Sequence, residues 1–128
     1  MSRAAVLVVE DNDRNLKLVR AVLEHAGYEV RAAVTAEAGV VAAVADPPDL
    51  VLMDLQLPGM DGVSALAALR AEPATSGVPV VALTALAMPS DRERVRRAGF
   101  DGDLEKPISV RELPGQVRSF IDGRKEPT

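Results

Sequence analysis

Four short runs in this chain each end in residues able to do polar chemistry. Ala4 to Val9 leads into Glu10 and Asp11, Asp49 to Met53 into Asp54, Val78 to Leu83 into Thr84, and the less apolar Asp101 to Glu105 into Lys106. In open α/β sheets, the carboxyl ends of the strands line the crevice that binds ligands. If these four ends meet there, Glu10, Asp11 and Asp54 crowd three carboxylates together. Their mutual repulsion should raise at least one pKa. A hard divalent cation would relieve it, since magnesium prefers octahedral oxygen ligands and keeps some of its waters. Asp54 is then placed as a nucleophile towards phosphorus. Lys106 and Thr84 are suited to neutralising and holding the oxygens of the group transferred.

Those residues need elements that deliver them to one edge. Apolar runs of four to six residues rich in Val, Leu and Ala alternate with segments of helical period. Ala4 to Val9 is apolar throughout, as a strand covered on both faces should be. Asp13 opens a helix with Leu16, Val19, Leu23 and Ala26 on one face, and Gly27 ends it. Tyr28 to Ala33 reads as a second strand, with Tyr28, Val30 and Ala32 on one face. Thr35 caps a helix to about Ala45, which Pro47 and Pro48 break before the strand carrying Asp54. A helix over Val63 to Arg70, a strand over Val78 to Thr84 and a helix from a capping box at Ser90 and Glu93 to Ala98 follow. Asp101 to Glu105 is the least apolar strand and is expected at an edge. A last helix runs to about Asp122, starting from a second capping box at Ser109 and Glu112 or, with Pro114 in its first turn, near Leu113. The expectation is a flavodoxin-like (βα)5 fold, an α/β sandwich with one parallel sheet of order 2-1-3-4-5. One domain over residues 1–122 precedes a tail, 123–128.

Composition narrows the function classes. Nineteen acidic against fifteen basic side chains give a net charge of -4, unlike the basic face of a nucleic-acid binder. Arg92, Arg94, Arg96 and Arg97 cluster but alternate with Asp91 and Glu93, as on a solvated helix face. Tyr28, Phe100 and Phe120 are too few to form a platform for stacked bases. The absence of cysteine excludes disulfides, zinc–thiolate sites and thiol catalysis. No signal peptide and no apolar stretch of roughly 18 residues is present, so a soluble, cytoplasmic protein without membrane contact is expected.

The strings Val9-Glu10-Asp11-Asn12, Met53-Asp54 through Asp61-Gly62, Leu83-Thr84-Ala85 and Lys106-Pro107 together resemble the receiver domain of two-component response regulators, of the CheY-like superfamily. The wording from Glu10 to Asn15 is most similar to DivK-type single-domain regulators and to receivers of hybrid histidine kinases. The resemblance implies that Asp54 is the phosphoacceptor. It also implies Mg2+ (or Mn2+) held by Asp11 and Asp54, by Glu10 through water, and by the Gln56 backbone carbonyl. Lys106, the Thr84 hydroxyl and the Ala85 N–H would hold the phosphoryl oxygens, with a cis bond between Lys106 and Pro107. A stand-alone receiver follows, not a turnover enzyme. It is charged by a histidine kinase or histidine phosphotransfer protein docking on the first helix near Leu18 and Val22, and it signals to a downstream protein. Leu86, two residues beyond Thr84, would shield the acyl phosphate.

Singly, each residue has a plainer explanation. Glu10 and Asp11 could cap a helix, Asp54 a loop, Thr84 could be an ordinary strand residue and Lys106 an exposed lysine; His25 reads as a surface residue complementing a helix end. Met53, Met60 and Met88 read as packing residues. One departure stands out: Asp103 occupies the position where receivers carry an aromatic switch residue. It cannot fill apolar space, and burying its charge unpaired is costly. That keeps open a rival reading, a phosphorylation-independent interaction module with an altered output face. A second rival, a hydrolase with an Asp-x-Asp nucleophile motif, rests on Asp11 and Asp13 and leaves Asp54 without a role.

Overall fold

A computed structural model of the chain describes residues 3–55, 60–85 and 89–124. The described elements are β1 (Ala5–Val9), α1 (Asp13–His25), β2 (Glu29–Ala33), α2 (Ala36–Ala45), β3 (Leu50–Asp54), α3 (Gly62–Ala71), β4 (Val80–Thr84), α4 (Pro89–Ala98), β5 (Gly102–Glu105) and α5 (Leu113–Arg124). The strands form one parallel sheet of order β2-β1-β3-β4-β5. This is the flavodoxin-like (βα)5 arrangement expected from the sequence.

The burial of each strand follows its place in the sheet. Every residue of β1, β3 and β4 is buried, whereas the edge strands β2 and β5 expose part of theirs. On one face Leu7, Val9, Val51, Met53, Val80 and Ala82 pack against Ala36, Ala43, Leu66, Leu69 and Val95 of α2, α3 and α4. On the other, Val6, Val8, Leu50, Leu52, Val81 and Leu83 meet Val19 and Leu23 of α1 and Leu113, Val117 and Ile121 of α5. Helix α2 can lie this close because position 39 is glycine: a Cβ there would sit 2.7 Å from Val9 Cγ2. Gly27, at φ +99°, and Gly99, at φ +107°, end α1 and α4 in a left-handed turn that a side chain would strain.

Several boundaries differ from the sequence expectation. Ser90 is not a cap: α4 already includes it and starts at Pro89, whose missing N–H costs nothing in a first turn. Ser109 does cap a turn, accepting from the Glu112 N–H at 3.3 Å. Helix α5 proper starts at Leu113, so Pro114 falls in its first turn, and the helix continues to Arg124. Tyr28 and Val30 are buried together, but Ala32, further along the edge strand, is exposed, as is Ala26 beyond the end of α1. Among the described residues, no helix is long and apolar enough to cross a membrane.

Candidate functional site

The sheet ladders extend one step past three strands and fix the backbones at the carboxyl edge. Glu10 N–H donates to the Ala33 carbonyl (3.0 Å), Leu55 N–H to the Leu83 carbonyl (3.1 Å) and Lys106 N–H to the Thr84 carbonyl (2.8 Å). Val9 is level with Met53 and Asp54 with Leu83. Glu10 and Asp54 are therefore neighbours across the two strands flanking the point where the strand order reverses, and Thr84 lies one residue beyond the Leu83 partner of Asp54. Glu10, Asp54 and Thr84 are all buried, while Asp11 and Ala85 are exposed. One carboxylate oxygen each from Glu10, Asp11 and Asp54 lie within 4.8 Å of one another.

Lys106, which is joined to Pro107 by a cis bond, reaches into this cluster. Its Nζ lies 3.1 Å from Glu10 Oε1 and 3.2 Å from Asp54 Oδ2. Burial alone would lower the Lys106 pKa, but hydrogen bonds to Glu10 and Asp54 outweigh it and raise the value. Burial also pushes the Glu10 carboxyl above its ordinary value, the neighbouring Asp54 adds to this, and Lys106 offsets only part of it. One ammonium thus faces three carboxylates, and Glu10 Oε2 is buried with no hydrogen-bond partner among the described residues. An orphaned buried carboxylate oxygen within an all-oxygen donor set fits a hard divalent cation.

Asn15 also belongs to this pocket, although its type and spacing did not single it out. Its Nδ2 donates to Glu10 Oε1 at 3.1 Å. The hints in the sequence were its place in the Glu10 to Asn15 wording and its position three residues after Asn12, which caps α1. Asp13, by contrast, turns away to Lys17 on the outer face of α1, at 3.1 Å, so of the Asp11 and Asp13 pair only Asp11 joins the cluster. Gln56, Leu86 and Met88 lie outside the described residues.

Beside the pocket, Asp103 is half-buried and faces α4, where Arg92 Nε lies 3.8 Å from its Oδ2. Arg92 Nη2 also donates to Glu105 at 3.0 Å. The charge that looked costly at position 103 is therefore paired, through an arginine on the neighbouring helix. On the opposite side of the sheet, Ala21, Val22, His25, Ala26, Val110 and Pro114 line a largely apolar groove of about 340 Å³ between α1 and the start of α5. Leu18 on α1 is 41% exposed. Of the methionines read as packing residues, Met53 is buried in the core and Met60 packs partly against it.

The chain is similar to known proteins over most of its length. The family model for the response regulator receiver domain matches residues 6–118. The polar-differentiation response regulator DivK of Brucella ovis is 37% identical over 117 residues, 91% of this chain and 95% of that protein. The receiver domain of sensor histidine kinase PA1611 from Pseudomonas aeruginosa, solved with a magnesium ion in its active-site cleft, superposes with a TM-score of 0.86 at 36% identity, covering 94% of this chain and 99% of that one. Chemotaxis protein CheY4 of Vibrio cholerae gives a TM-score of 0.87 at 26% identity, covering 93% and 99%. With the family model covering residues 6–118 and a relative 37% identical over 91% of its length, the chain belongs to the response regulator receiver domain family of two-component signalling.

Proposed function

We propose that Asp54 accepts a phosphoryl group from a phosphohistidine on a histidine kinase or histidine phosphotransfer protein. The phosphorus–nitrogen bond of the donor breaks as the bond between phosphorus and an Asp54 oxygen forms. The observation that carries this reading is the buried contact of Lys106 with Asp54 inside a three-carboxylate cluster whose Glu10 Oε2 has no hydrogen-bond partner among the described residues. Glu10, Asp11 and Asp54, with the Gln56 carbonyl, would hold Mg2+ (or Mn2+), which when bound neutralises charge on the transferred group. Lys106 then holds one phosphoryl oxygen, and the Thr84 hydroxyl with the Ala85 N–H another. Burial of Asp54 keeps bulk water from the acyl phosphate. The chain catalyses its own charging and slow discharge and does not turn over a substrate. The phosphorylated form is read by a downstream protein. The donor class sets the action in the cytoplasm.

Incubation with acetyl phosphate and Mg2+ tests this directly. The parent should gain about 80 Da, and Asp54→Ala should gain nothing. A parent that stays unmodified would overturn the reading and favour the constitutive interaction module, which the Arg92–Asp103 contact keeps in play.

A further inference from the structure

The start of α1 departs from ordinary capping. Asn12 accepts from the Asn15 backbone N–H at 3.0 Å, and in a full capping box a Glu or Gln three residues after the cap turns back to the cap's own N–H. Asn15 sends its amide to Glu10 instead, at 3.1 Å from Oε1. Lys106 contacts that same oxygen. Among the described residues, Glu10 therefore has two donors on one oxygen and none on the other, which is buried. The two donors are not equivalent. Lys106 also touches Asp54 and can follow a group transferred there, whereas Asn15 is fixed to the first turn of a helix.

We propose that Asn15 is a positioning residue for the cation site: its amide holds Glu10 by Oε1 and leaves Oε2 free for a divalent ion, including when Lys106 leaves Glu10 for the phosphoryl group. The assignment rests on the cluster being a cation site. Outer donors of this kind orient carboxylates that ligate metals, and they matter nearly as much as the ligands themselves.

The test is calorimetric titration of the full chain with Mg2+, comparing the parent, Asn15→Ala and the near-isosteric Asn15→Leu, with thermal unfolding of each in EDTA. Both substitutions keep the backbone N–H that Asn12 caps. Both variants should bind Mg2+ about tenfold or more weakly, unfold in EDTA close to the parent, and regain the parental extent of acetyl phosphate labelling at saturating Mg2+. Parental affinity in either variant overturns the assignment, as does a labelling defect that saturating Mg2+ leaves in place. If the parent itself neither binds Mg2+ nor takes the label, the cation reading has failed, and the role of Asn15 falls with it.

Discussion

Glu10 shows how a buried charge can be costly to the fold and useful to the site. Burial and the neighbouring Asp54 raise its pKa, so at neutral pH its ionisation opposes folding. Below its ordinary value of 4.5 the group is protonated in both states and the penalty vanishes. As pH rises, the unfolded chain loses this proton first, and stability falls until the folded-state group also ionises. Lys106 has the opposite sign: with its pKa raised above 10.5, its stabilisation is full below that value and is lost as pH climbs through the folded-state value. Glu10→Gln keeps an acceptor for Asn15 and Lys106 and removes a charge. In EDTA it should unfold at a higher temperature than the parent near neutral pH, with the gap closing as pH drops below the ordinary carboxylate value, while Mg2+ affinity falls. Calorimetry across pH checks both; a variant less stable at neutral pH would show that the ion pair with Lys106 outweighs desolvation. At this scale the meeting of Glu10, Asp11, Asp54 and Lys106 at one edge was legible because each lies at or just past the end of a strand. Asn15 was not, because its role depends on which way one amide turns.

Among the elements, α4 and β5 are tied together by ion pairs. Arg92 spans Asp103 and Glu105 of the edge strand, leaving a polar contact on the strand next to Lys106. About half of the Arg92 side chain is exposed, so the pairs together are worth at most about 1 kcal/mol, and Arg92→Ala should change stability by no more than that. If position 103 transmits phosphorylation, as the family resemblance implies, a carboxylate held by Arg92 should not rotate inward as an aromatic would. Amide exchange with and without beryllofluoride should change at the ends of β1, β3 and β4 but little across α4, β5 and α5, and Asp103→Tyr should extend the change to that face. A full response of the face in the parent would contradict this. On the other side of β5, Gly102 lies under Phe120, where a Cβ would overlap the ring. Gly102→Ala should cost about 1–3 kcal/mol, and less in a Phe120→Ala background, giving a non-zero coupling in a double-mutant cycle. The sequence named Asp103 as anomalous but could not name Arg92, since only the crossover brings α4 against β5. It also placed a cap at Ser90, where Pro89 takes the first helical position, because the two signals are adjacent and only one can start the helix.

The whole molecule separates its surfaces by the two faces of one sheet. Strand order was legible because five strands alternating with helices point to the flavodoxin-like arrangement, and the less apolar Asp101 to Glu105 run fits its edge. Surfaces were less legible, since exposure depends on what the opposite layer covers. Val22 packs partly against the core, whereas Leu18 one turn earlier stands 41% exposed, close to the groove that Val22, Val110 and Pro114 line. A phosphohistidine donor must bring its imidazole to the carboxyl edge of the sheet, and α1 with the segment after Lys106 borders that edge. Docking there would bury Leu18 and Val110, the latter 50% exposed, without touching the carboxylates or Lys106. Leu18→Arg and Val110→Arg should therefore slow transfer from a phosphorylated histidine phosphotransfer protein about tenfold each, equivalent to about 1.4 kcal/mol of lost contact. Labelling by acetyl phosphate, which needs no docking surface, should keep its parental rate. The comparison separates contact from chemistry: both rates falling together would mean the substitutions had disturbed the pocket, and both staying unchanged would move donor docking to another face.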